Sequence, residues 1–402
     1  MLMILIDAFS QVYFSKTYTP FMHSLAENGI SGTLDPMFAY RGIDTTIFTG
    51  VWPNVHNVWT EFKIARKIRT DKKMRLMQAI VGSLDPLPTD RLRAMSTYFV
   101  ERYLFKEFYK TPHVMPSSAI PYFESSQLKE TFESGAANEL PTVFDVFRAK
   151  GATYTYIEPW IGGDKGVLSK AKKRISHYDS NDFWYIKFSH LDHLGHMFGP
   201  DPSAFDDQLI RIDKYVEDLV TLLRKKSQNL NVLIMSDHGM SKVNETLNIL
   251  AELRKLRSRI YEDYVAFADS TMIRFWFFNE KAAFEISELM GQIKCGHTLT
   301  ATEKELLKVP IDSKFGETIF VLDEGYLLHP SFFSAKSEVK GMHGYAYPKT
   351  PEAFPAIIIN GEITKLIPKN SRLTFIDIPH LILRSLFPQA KQAGLGLSSY
   401  ME

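Results

Sequence analysis

Short apolar runs without polar alternation recur along this chain, and stretches with helical spacing separate them. Such runs are typical of strands that are buried on both faces, as in the middle of a parallel sheet. They are MLMILI, DFWYIKF, NVLIMS and AFPAIIIN. The helical stretches include DDQLIRIDKYVEDLVTLLRKK, and also PFMHSLAENG and TVFDVFRAKG, which end near Gly29 and Gly151 as helices often do. The alternation predicts the α/β class, with a mostly parallel sheet and helices on both of its faces.

Two long segments interrupt this alternation. Residues 63–140 contain two helical patterns, IARKIRTDKKMRLMQAIVG and TDRLRAMSTYFVERYLFKEFYK, so we expect a helical insertion that caps a site. Residues 254–335 combine the strand-like runs VAFADSTMIRFWFF and ETIFVLDEGYLLH with a helix near 281–293, which predicts a smaller α+β lobe. One large domain over residues 1–402 that carries both additions fits the length of the chain.

Composition argues against several classes of protein. The formal net charge of +1 does not suit a general electrostatic binder of nucleic acid polymers. No apolar run approaches the roughly 18 to 20 residues of a membrane span, and MLMILI lacks the basic flank and cleavage site of a signal peptide. The single cysteine, Cys295, excludes a disulfide within the chain and makes a reducing compartment the default. We therefore expect a soluble, cytoplasmic protein, and the oligomeric state stays open.

Acidic and imidazole side chains follow several of the strand-like runs. They are Asp7 after MLMILI, Asp192 and His196 after FWYIKFSH, Asp237 and His238 after NVLIMS, and His343 in GMHGY. Ligands of open parallel sheets bind beyond the carboxyl ends of the strands, so we expect these side chains to meet at one sheet edge. Three carboxylates and three imidazoles form a donor set that suits two divalent cations.

Each cluster also has a purely structural alternative. Asp192 and His196 are four residues apart and would point the same way on a helix, but HLDHLGHMFGP also fits a surface turn in which other histidines are rival ligands. Asp237 and His238 share an ion only where the chain turns sharply, which the following glycine permits; the alternative is an aspartate helix cap beside an exposed histidine. For His343, the alternative is a surface loop.

The segments ILIDAF, TTIFTGVWPNVHNVW, KFSHLDHLGHMFGP, LIMSDHGM and GMHGYAYP together resemble the alkaline phosphatase superfamily, specifically its type I phosphodiesterase/nucleotide pyrophosphatase branch. FADSTMIRFWFF, FGETIFVL and FPAIIINGEI are also similar to that branch, so the resemblance covers most of the chain outside the insertion. It implies an alkaline-phosphatase-like fold and two metal ions, usually zinc, with manganese as the alternative. The implied ligands are Asp192, His196 and His343 for one ion and Asp7, Asp237 and His238 for the other.

The chain departs from the family pattern at the nucleophile. The family's threonine or serine aligns with Tyr40, in FAYRGIDTT, and its phosphate-binding asparagine aligns near Glu61. Tyr40 would attack as a phenolate, or a metal-activated hydroxide would attack while Tyr40 and Arg41 orient the substrate. Otherwise the chemistry is altered or lost, or Thr45 is the nucleophile. Arg41 suits two phosphate oxygens, and its alternative is an ion pair to a nearby aspartate. The alternative for Tyr40 is an aromatic ring that packs under the loop.

Three functions follow from these observations. The first is a two-metal hydrolase that cleaves phosphodiesters or pyrophosphates in a small-molecule phosphate ester or related anion. The second is a transferase or mutase on the same scaffold, which moves a phosphoryl or related group between hydroxyls. The third is a metal-binding homologue with lost or altered catalysis. Retention of all six ligand-type residues favours catalysis, whereas the altered nucleophile position favours the third function.

Overall fold

The computed structural model describes residues 1–38, 40–106, 112–159, 162–177, 181–368, 371–389, 397 and 400–401. Its strands are β1 (Leu2–Ile6), β2 (Gly29–Thr33), β3 (Phe62–Ile64), β4 (Phe123–Ser125), β5 (Tyr154–Ile157), β6 (Phe183–Phe188), β7 (Val232–Met235), β8 (Ser241–Lys242), β9 (Glu245–Leu247), β10 (Tyr264–Ala268), β11 (Met272–Phe277), β12 (Gly296–Thr298), β13 (Thr318–Leu322), β14 (Tyr326–Leu328), β15 (Gly341–Met342) and β16 (Ala356–Asn360). Its α-helices are α1 (Pro20–Glu27), α2 (Gly42–Thr49), α3 (Pro53–His56), α4 (Lys72–Gly82), α5 (Asp90–Phe99), α6 (Val143–Lys150), α7 (Gly163–His177), α8 (His190–Phe198), α9 (Asp206–Arg224), α10 (Ile249–Leu253), α11 (Glu280–Gln292), α12 (Ala301–Leu306) and α13 (Ile378–Leu386).

A six-stranded sheet lies at the centre of the molecule, in the order β2-β16-β7-β1-β6-β5. β1 pairs in parallel with β6 and β7, and β5 pairs in parallel with β6. These pairings confirm the predicted α/β class with a mostly parallel sheet. The reading of AFPAIIIN as a parallel strand is wrong, because β16 runs antiparallel to both β7 and β2. A continuous apolar run reports that both faces are covered, and it carries no information about strand direction.

Both faces of this sheet are covered by helices, which explains why every residue of β1 is buried. Successive side chains of a strand point to opposite faces. Met3 and Leu5 pack in one core with residues of α2, α6 and α13. Leu2, Ile4 and Ile6 pack in a second core with residues of α1, α7 and α9. The resulting layers hold the carboxyl ends of β1, β6 and β7 side by side.

The two predicted helix-stop glycines behave differently. Gly151 has a φ of 67° and ends α6, as predicted. Gly29 does not end a helix, since α1 ends at Glu27 and Gly29 is the first residue of β2. A Cβ atom at Gly29 would lie 2.2 Å from the carbonyl oxygen of Ile359. The glycine is therefore required for the close pairing of β2 with β16.

The segment predicted as a helical insertion is enclosed by a two-stranded antiparallel ribbon of β3 and β4. Ile64 belongs to β3, and the first helix begins only at Lys72, where Asp71 accepts a hydrogen bond from the amide of Met74. The second helix, α5, continues into a π-helical turn over Val100–Leu104. The end of the second helical pattern, residues 107–110, lies outside the described residues. The helical content is thus present, but IARKIR is not helical.

The segment predicted as a smaller lobe contains a four-stranded antiparallel sheet in the order β10-β11-β13-β12. The run VAFADSTMIRFWFF forms the hairpin of β10 and β11, and Ile286 and Met290 of α11 are buried in the core of this sheet. The turn of the hairpin, residues 269–271, contacts the segment before α2, since Thr271 Oγ1 lies 2.5 Å from the hydroxyl oxygen of Tyr40. Among the helices of the described residues, none combines the length and the apolar character that a membrane crossing requires.

Candidate metal centre

The six predicted ligands come together beyond the carboxyl ends of β1, β6 and β7. Their candidate ligand atoms form two groups, and within each group the atoms lie within 4.8 Å of one another. We call the group on and beside α8 the helix cluster: Asp192, His196 and His343. We call the group that directly follows β1 and β7 the strand cluster: Asp7, Asp237 and His238. The rings of His238 and His343 are stacked with centroids 3.6 Å apart, so the two clusters are adjacent.

The helix cluster presents an oxygen and two ring nitrogens to one point. Asp192 Oδ1 lies 3.3 Å from His196 Nε2 and 3.7 Å from His343 Nε2. His196 donates its Nδ1 proton to the carbonyl oxygen of Gly341 at 2.8 Å, which leaves Nε2 as the atom that can bind a cation. Asp192 Oδ1 is buried and accepts no hydrogen bond. A buried oxygen without a donor, between two imidazoles, fits a divalent metal ion.

Charge within the helix cluster depends on its carboxylate. Burial disfavours the ionised forms, but the Asp192 charge outweighs burial and raises the pKa of His196. Burial likewise works against ionised Asp192, and the charge of His196 nevertheless lowers the pKa of the carboxyl group. Burial and the charges of His238 and His196 lower the pKa of His343 well below its ordinary value. A proton on His196 therefore competes with a metal ion for the same nitrogen.

In the strand cluster, every carboxylate oxygen already has a polar partner. Asp7 Oδ1 lies 3.1 Å from His238 Nε2, and Asp237 Oδ1 accepts a hydrogen bond from the amide of His238 at 3.1 Å. The Nδ1 proton of His238 is donated to the carbonyl oxygen of Gly239 at 2.8 Å. The two remaining oxygens, Oδ2 of Asp7 and Oδ2 of Asp237, bind an ammonium group.

That ammonium group belongs to Lys187, which the sequence analysis missed. Lys187 Nζ lies 3.0 Å from Asp7 Oδ2 and 3.1 Å from Asp237 Oδ2, and its side chain is only 15% exposed. Burial would lower the pKa of Lys187, but the charges of Asp237 and Asp7 raise it well above its ordinary value. The available signal was a lysine within the otherwise apolar strand FWYIKF, because a buried lysine is rarely unpaired.

The imidazole of the strand cluster is also controlled by its carboxylates. Burial disfavours charge on His238, but Asp237 and Asp7 outweigh it and raise the pKa to about 10. Burial and the charge of Asp7 raise the pKa of Asp237. The carboxylates of the strand cluster therefore keep both His238 and Lys187 in their protonated, positively charged forms.

Tyr40, the residue at the predicted nucleophile position, precedes α2 and packs its ring edge against His343, with centroids 5.9 Å apart. Its hydroxyl oxygen lies 2.5 Å from Thr271 Oγ1. Since Thr271 donates its own proton to the carbonyl oxygen of Gly344 at 2.7 Å, it accepts the proton of Tyr40. Burial and the charge of Asp269 raise the pKa of Tyr40. The phenol is thus held in its protonated form.

Arg41 adjoins Tyr40 and is anchored through two of its three nitrogens. Nε donates to Gln127 Oε1 at 3.0 Å, and Nη1 donates to Asp44 Oδ2 at 3.3 Å. The ion pair with a nearby aspartate, considered above as an alternative, is therefore present. The third nitrogen, Nη2, is buried without a hydrogen-bond partner. The Nη2 amino group of a fixed guanidinium is left for an anion.

A cavity of about 400 Å³ connects these groups, and the six predicted ligands, Tyr40, Arg41 and Lys187 all line it. The lobe contributes Asp269, Ser270 and Phe333 to its wall, whereas the described residues of α4 and α5 contribute none. From residues 63–140, Pro112 lines the cavity, so the capping role of that segment stays a prediction. Thr45, the alternative nucleophile, is fully buried within α2 and does not line the cavity.

Comparison with known proteins places these features in a family context. Residues 1–346 match the family model described as type I phosphodiesterase/nucleotide pyrophosphatase. Ectonucleotide pyrophosphatase/phosphodiesterase 1 of Saccharomyces cerevisiae is 25% identical over 287 residues, which are 66% of this chain and 37% of the relative. Human bis(5'-adenosyl)-triphosphatase ENPP4 is 24% identical over 277 residues, which are 65% of this chain and 57% of the relative. The chain thus matches less than two thirds of the length of either relative.

A solved structure with the same architecture is that of an inactive variant of mouse ectonucleotide pyrophosphatase/phosphodiesterase 5 in complex with AMP. Its TM-score to this chain is 0.66 at 16% sequence identity, and the match covers 96% of this chain and 94% of the mouse chain. At this identity the likeness concerns the fold. It confirms the predicted alkaline-phosphatase-like architecture.

Proposed function

Because the chain belongs to the type I phosphodiesterase/nucleotide pyrophosphatase family, we propose that it hydrolyses phosphodiester or pyrophosphate bonds with the help of a bound divalent metal ion. The observation that carries this proposal is the convergence of the helix cluster and Arg41 on one cavity. A cavity of about 400 Å³ falls within the usual range for small-molecule sites. A nucleotide-sized phosphate ester is the proposed class of substrate, in keeping with the names of the relatives.

Charge in the cavity explains why a metal ion is needed. Among the described lining residues, six carboxylates face three side-chain cations, which are Arg41, Lys187 and protonated His238. An anionic substrate would be repelled from such a surface unless further positive charge were present. A bound divalent ion would supply that charge to the phosphoryl oxygens and would acidify a water molecule. The family is metal-dependent, and this cavity has an electrostatic reason to be so.

We propose Asp192, His196 and His343 as the ligands of a divalent ion. The family resemblance implies zinc, and manganese is the alternative for mixed oxygen and nitrogen donors. The same resemblance implies a second ion at the strand cluster, where both carboxylates already bind the ammonium group of Lys187.

Water is the proposed nucleophile, and Tyr40 and Arg41 are proposed to position the reactants. The hydrogen bond from Tyr40 to Thr271 argues against an attacking phenolate, because the proton has no base to receive it. The Nη2 group of Arg41 would donate to a phosphoryl oxygen, while its other two contacts hold the guanidinium plane. Ser270 is the one serine or threonine among the described residues that line the cavity, and replacing it tests whether a hydroxyl attacks instead.

The test is hydrolysis of bis-p-nitrophenyl phosphate and of p-nitrophenyl phosphate by the chelator-treated protein, with zinc or manganese added back. Turnover of the diester but not of the monoester is the expected result. Asp192→Asn should abolish it, and Asp201→Asn, which removes an exposed carboxylate from the same segment, is the matched control. Turnover of neither ester by protein that holds metal would contradict the proposal and support a metal-binding protein without turnover.

A further inference from the structure

We infer that Lys187 occupies the place of a second divalent ion, so that the site operates with one metal ion in the helix cluster and one ammonium group in the strand cluster. This inference rests on the proposed function, because it concerns the ions of the same site. It differs from the two-ion expectation that the family resemblance implies.

The ammonium group of Lys187 lies between the two carboxylates of the strand cluster. Lys187 Nζ lies at hydrogen-bonding distance from one oxygen of each carboxylate of the strand cluster, at 3.0 Å and 3.1 Å. It therefore bridges Asp7 and Asp237, as a divalent ion bound by both carboxylates would. Lys187 is a residue of β6, whose backbone is paired to β1 along its length. The backbone of Lys187 is therefore fixed in the sheet, and its side chain extends to the two carboxylates of the strand cluster.

The carboxylate oxygens of the two clusters have different polar partners. In the strand cluster, all four oxygens have partners: two from Lys187, one from the ring of His238 and one from its amide. In the helix cluster, Asp192 Oδ1 is buried, and the groups nearest to it are the ring nitrogens of His196 at 3.3 Å and His343 at 3.7 Å. No lysine or arginine forms an ion pair with Asp192 among the described residues. The strand cluster therefore contains a permanent cation, whereas the carboxylate of the helix cluster has only imidazoles beside it.

The charge of Lys187 also opposes the binding of a divalent ion to the strand cluster. The strand cluster has two carboxylates, and Lys187 neutralises half of their charge. A divalent ion bound to the same two carboxylates would lie close to the ammonium group, in a site where the three side chains are 7% to 15% exposed. Water and salt screen like charges poorly at such a site. The lysine therefore weakens binding of an ion to the strand cluster, whose carboxylates it contacts, more than binding to the helix cluster, with which it forms no ion pair.

The experiment is the zinc content of the full chain, measured by elemental analysis after zinc loading and desalting, and by calorimetric titration of the chelator-stripped protein. We expect about one zinc ion per chain in the wild type and about two in Lys187→Met, because removal of the ammonium group frees both carboxylates. Lys187→Arg keeps the charge and should stay near one. In Lys187→Met, the further change His343→Ala should lower the content from two to one.

Two zinc ions of similar affinity in the wild type, or one ion in folded Lys187→Met, would overturn the inference. Circular dichroism shows whether Lys187→Met is folded, and the wild-type titration decides if it is not. Diester hydrolysis by the same samples separates the two proposals. Two ions with turnover would refute the role of Lys187 and leave the proposed function intact. One ion without turnover of either ester would refute the proposed function and leave the role of Lys187 intact, and absence of bound zinc would refute both.

Discussion

The helix cluster and the strand cluster use the same kinds of side chain at the same edge of the sheet, yet they differ in what their carboxylates bind. The single carboxylate of the helix cluster has an oxygen without a hydrogen-bond donor. The two carboxylates of the strand cluster share Lys187. A set of ligand-type residues therefore does not by itself give the number of ions. A cation carried by a neighbouring strand changes the count.

Loss of a helix-cluster ligand should have the largest effect, because this cluster is the proposed site of the ion on which turnover would depend. We expect Asp192→Asn to lose its bound zinc and to lower diester hydrolysis by about 10³-fold, roughly 4 kcal/mol of transition-state stabilisation. Asp237→Asn should keep the zinc of the helix cluster. Elemental analysis and initial rates of the two variants measure the contrast. Equal loss of zinc in both would erase the distinction between the clusters.

Removal of the Lys187 ammonium group should lower the stability of the protein even when no metal ion is present. In metal-free protein, Lys187→Met leaves Asp7 and Asp237 buried without their cation, and we expect a loss of about 3 kcal/mol in the free energy of unfolding. Urea denaturation at neutral pH measures this loss, with Lys187→Arg as the control that keeps the charge. Added zinc should restore much of the stability of Lys187→Met. A metal-free variant as stable as the wild type would show that the ammonium group does not neutralise this cluster.

Arg41 is expected to act on the substrate and not on the ions of either cluster. Arg41→Met removes the N–H group proposed to bind a phosphoryl oxygen, which predicts a loss of about 30-fold in kcat/KM, roughly 2 kcal/mol. Zinc content should not change. A variant that loses zinc in parallel with activity would instead place Arg41 among the groups that hold the metal centre together.

Zinc affinity of the helix cluster should rise with pH. Metal-free His196 has a pKa above the ordinary 6.5, and its proton must leave before Nε2 can bind zinc. Below that pKa, affinity should therefore rise by up to about tenfold per pH unit for one released proton, and fall in the same way as pH decreases. Competition with a chelator of known zinc affinity measures this. A rise that levels off at or below pH 6.5 would contradict the raised pKa.

Loss of the hydroxyl group of Tyr40 or of Ser270 should have the smallest effect on the rate of hydrolysis. Tyr40→Phe removes a hydroxyl that binds Thr271, and Ser270→Ala removes the one serine of the described cavity wall. Neither hydroxyl is the proposed nucleophile, and Tyr40→Phe keeps the ring that packs against His343. Each variant should therefore keep its rate within about threefold of the wild type. Loss of all activity in one of them, with zinc content intact, would identify that hydroxyl as the attacking group.

Much of this site could be predicted from the order of residues along the chain. Asp7, Asp192 and Asp237 each follow an apolar run that became a strand, and parallel strands bring their carboxyl ends to one edge. The spacing of Asp192 and His196 matched one turn of α8. These inferences needed only short-range patterns and the general rule for parallel sheets.

What could not be predicted depended on contacts between distant segments. The direction of β16 was missed because burial on both faces is independent of strand direction. Lys187 was missed because a lysine inside a strand gives no indication of which carboxylates lie opposite. The hydrogen bond between Tyr40 and Thr271 joins residues 231 positions apart, so the fate of the Tyr40 hydroxyl required the lobe to be in place.

Anomalous X-ray scattering from zinc-soaked crystals, recorded on both sides of the zinc absorption edge, would locate each bound ion. We expect one anomalous peak between Asp192, His196 and His343, with the ammonium group of Lys187 still bound to Asp7 and Asp237. A second peak of comparable height within the strand cluster, or no peak at the helix cluster, would contradict this expectation.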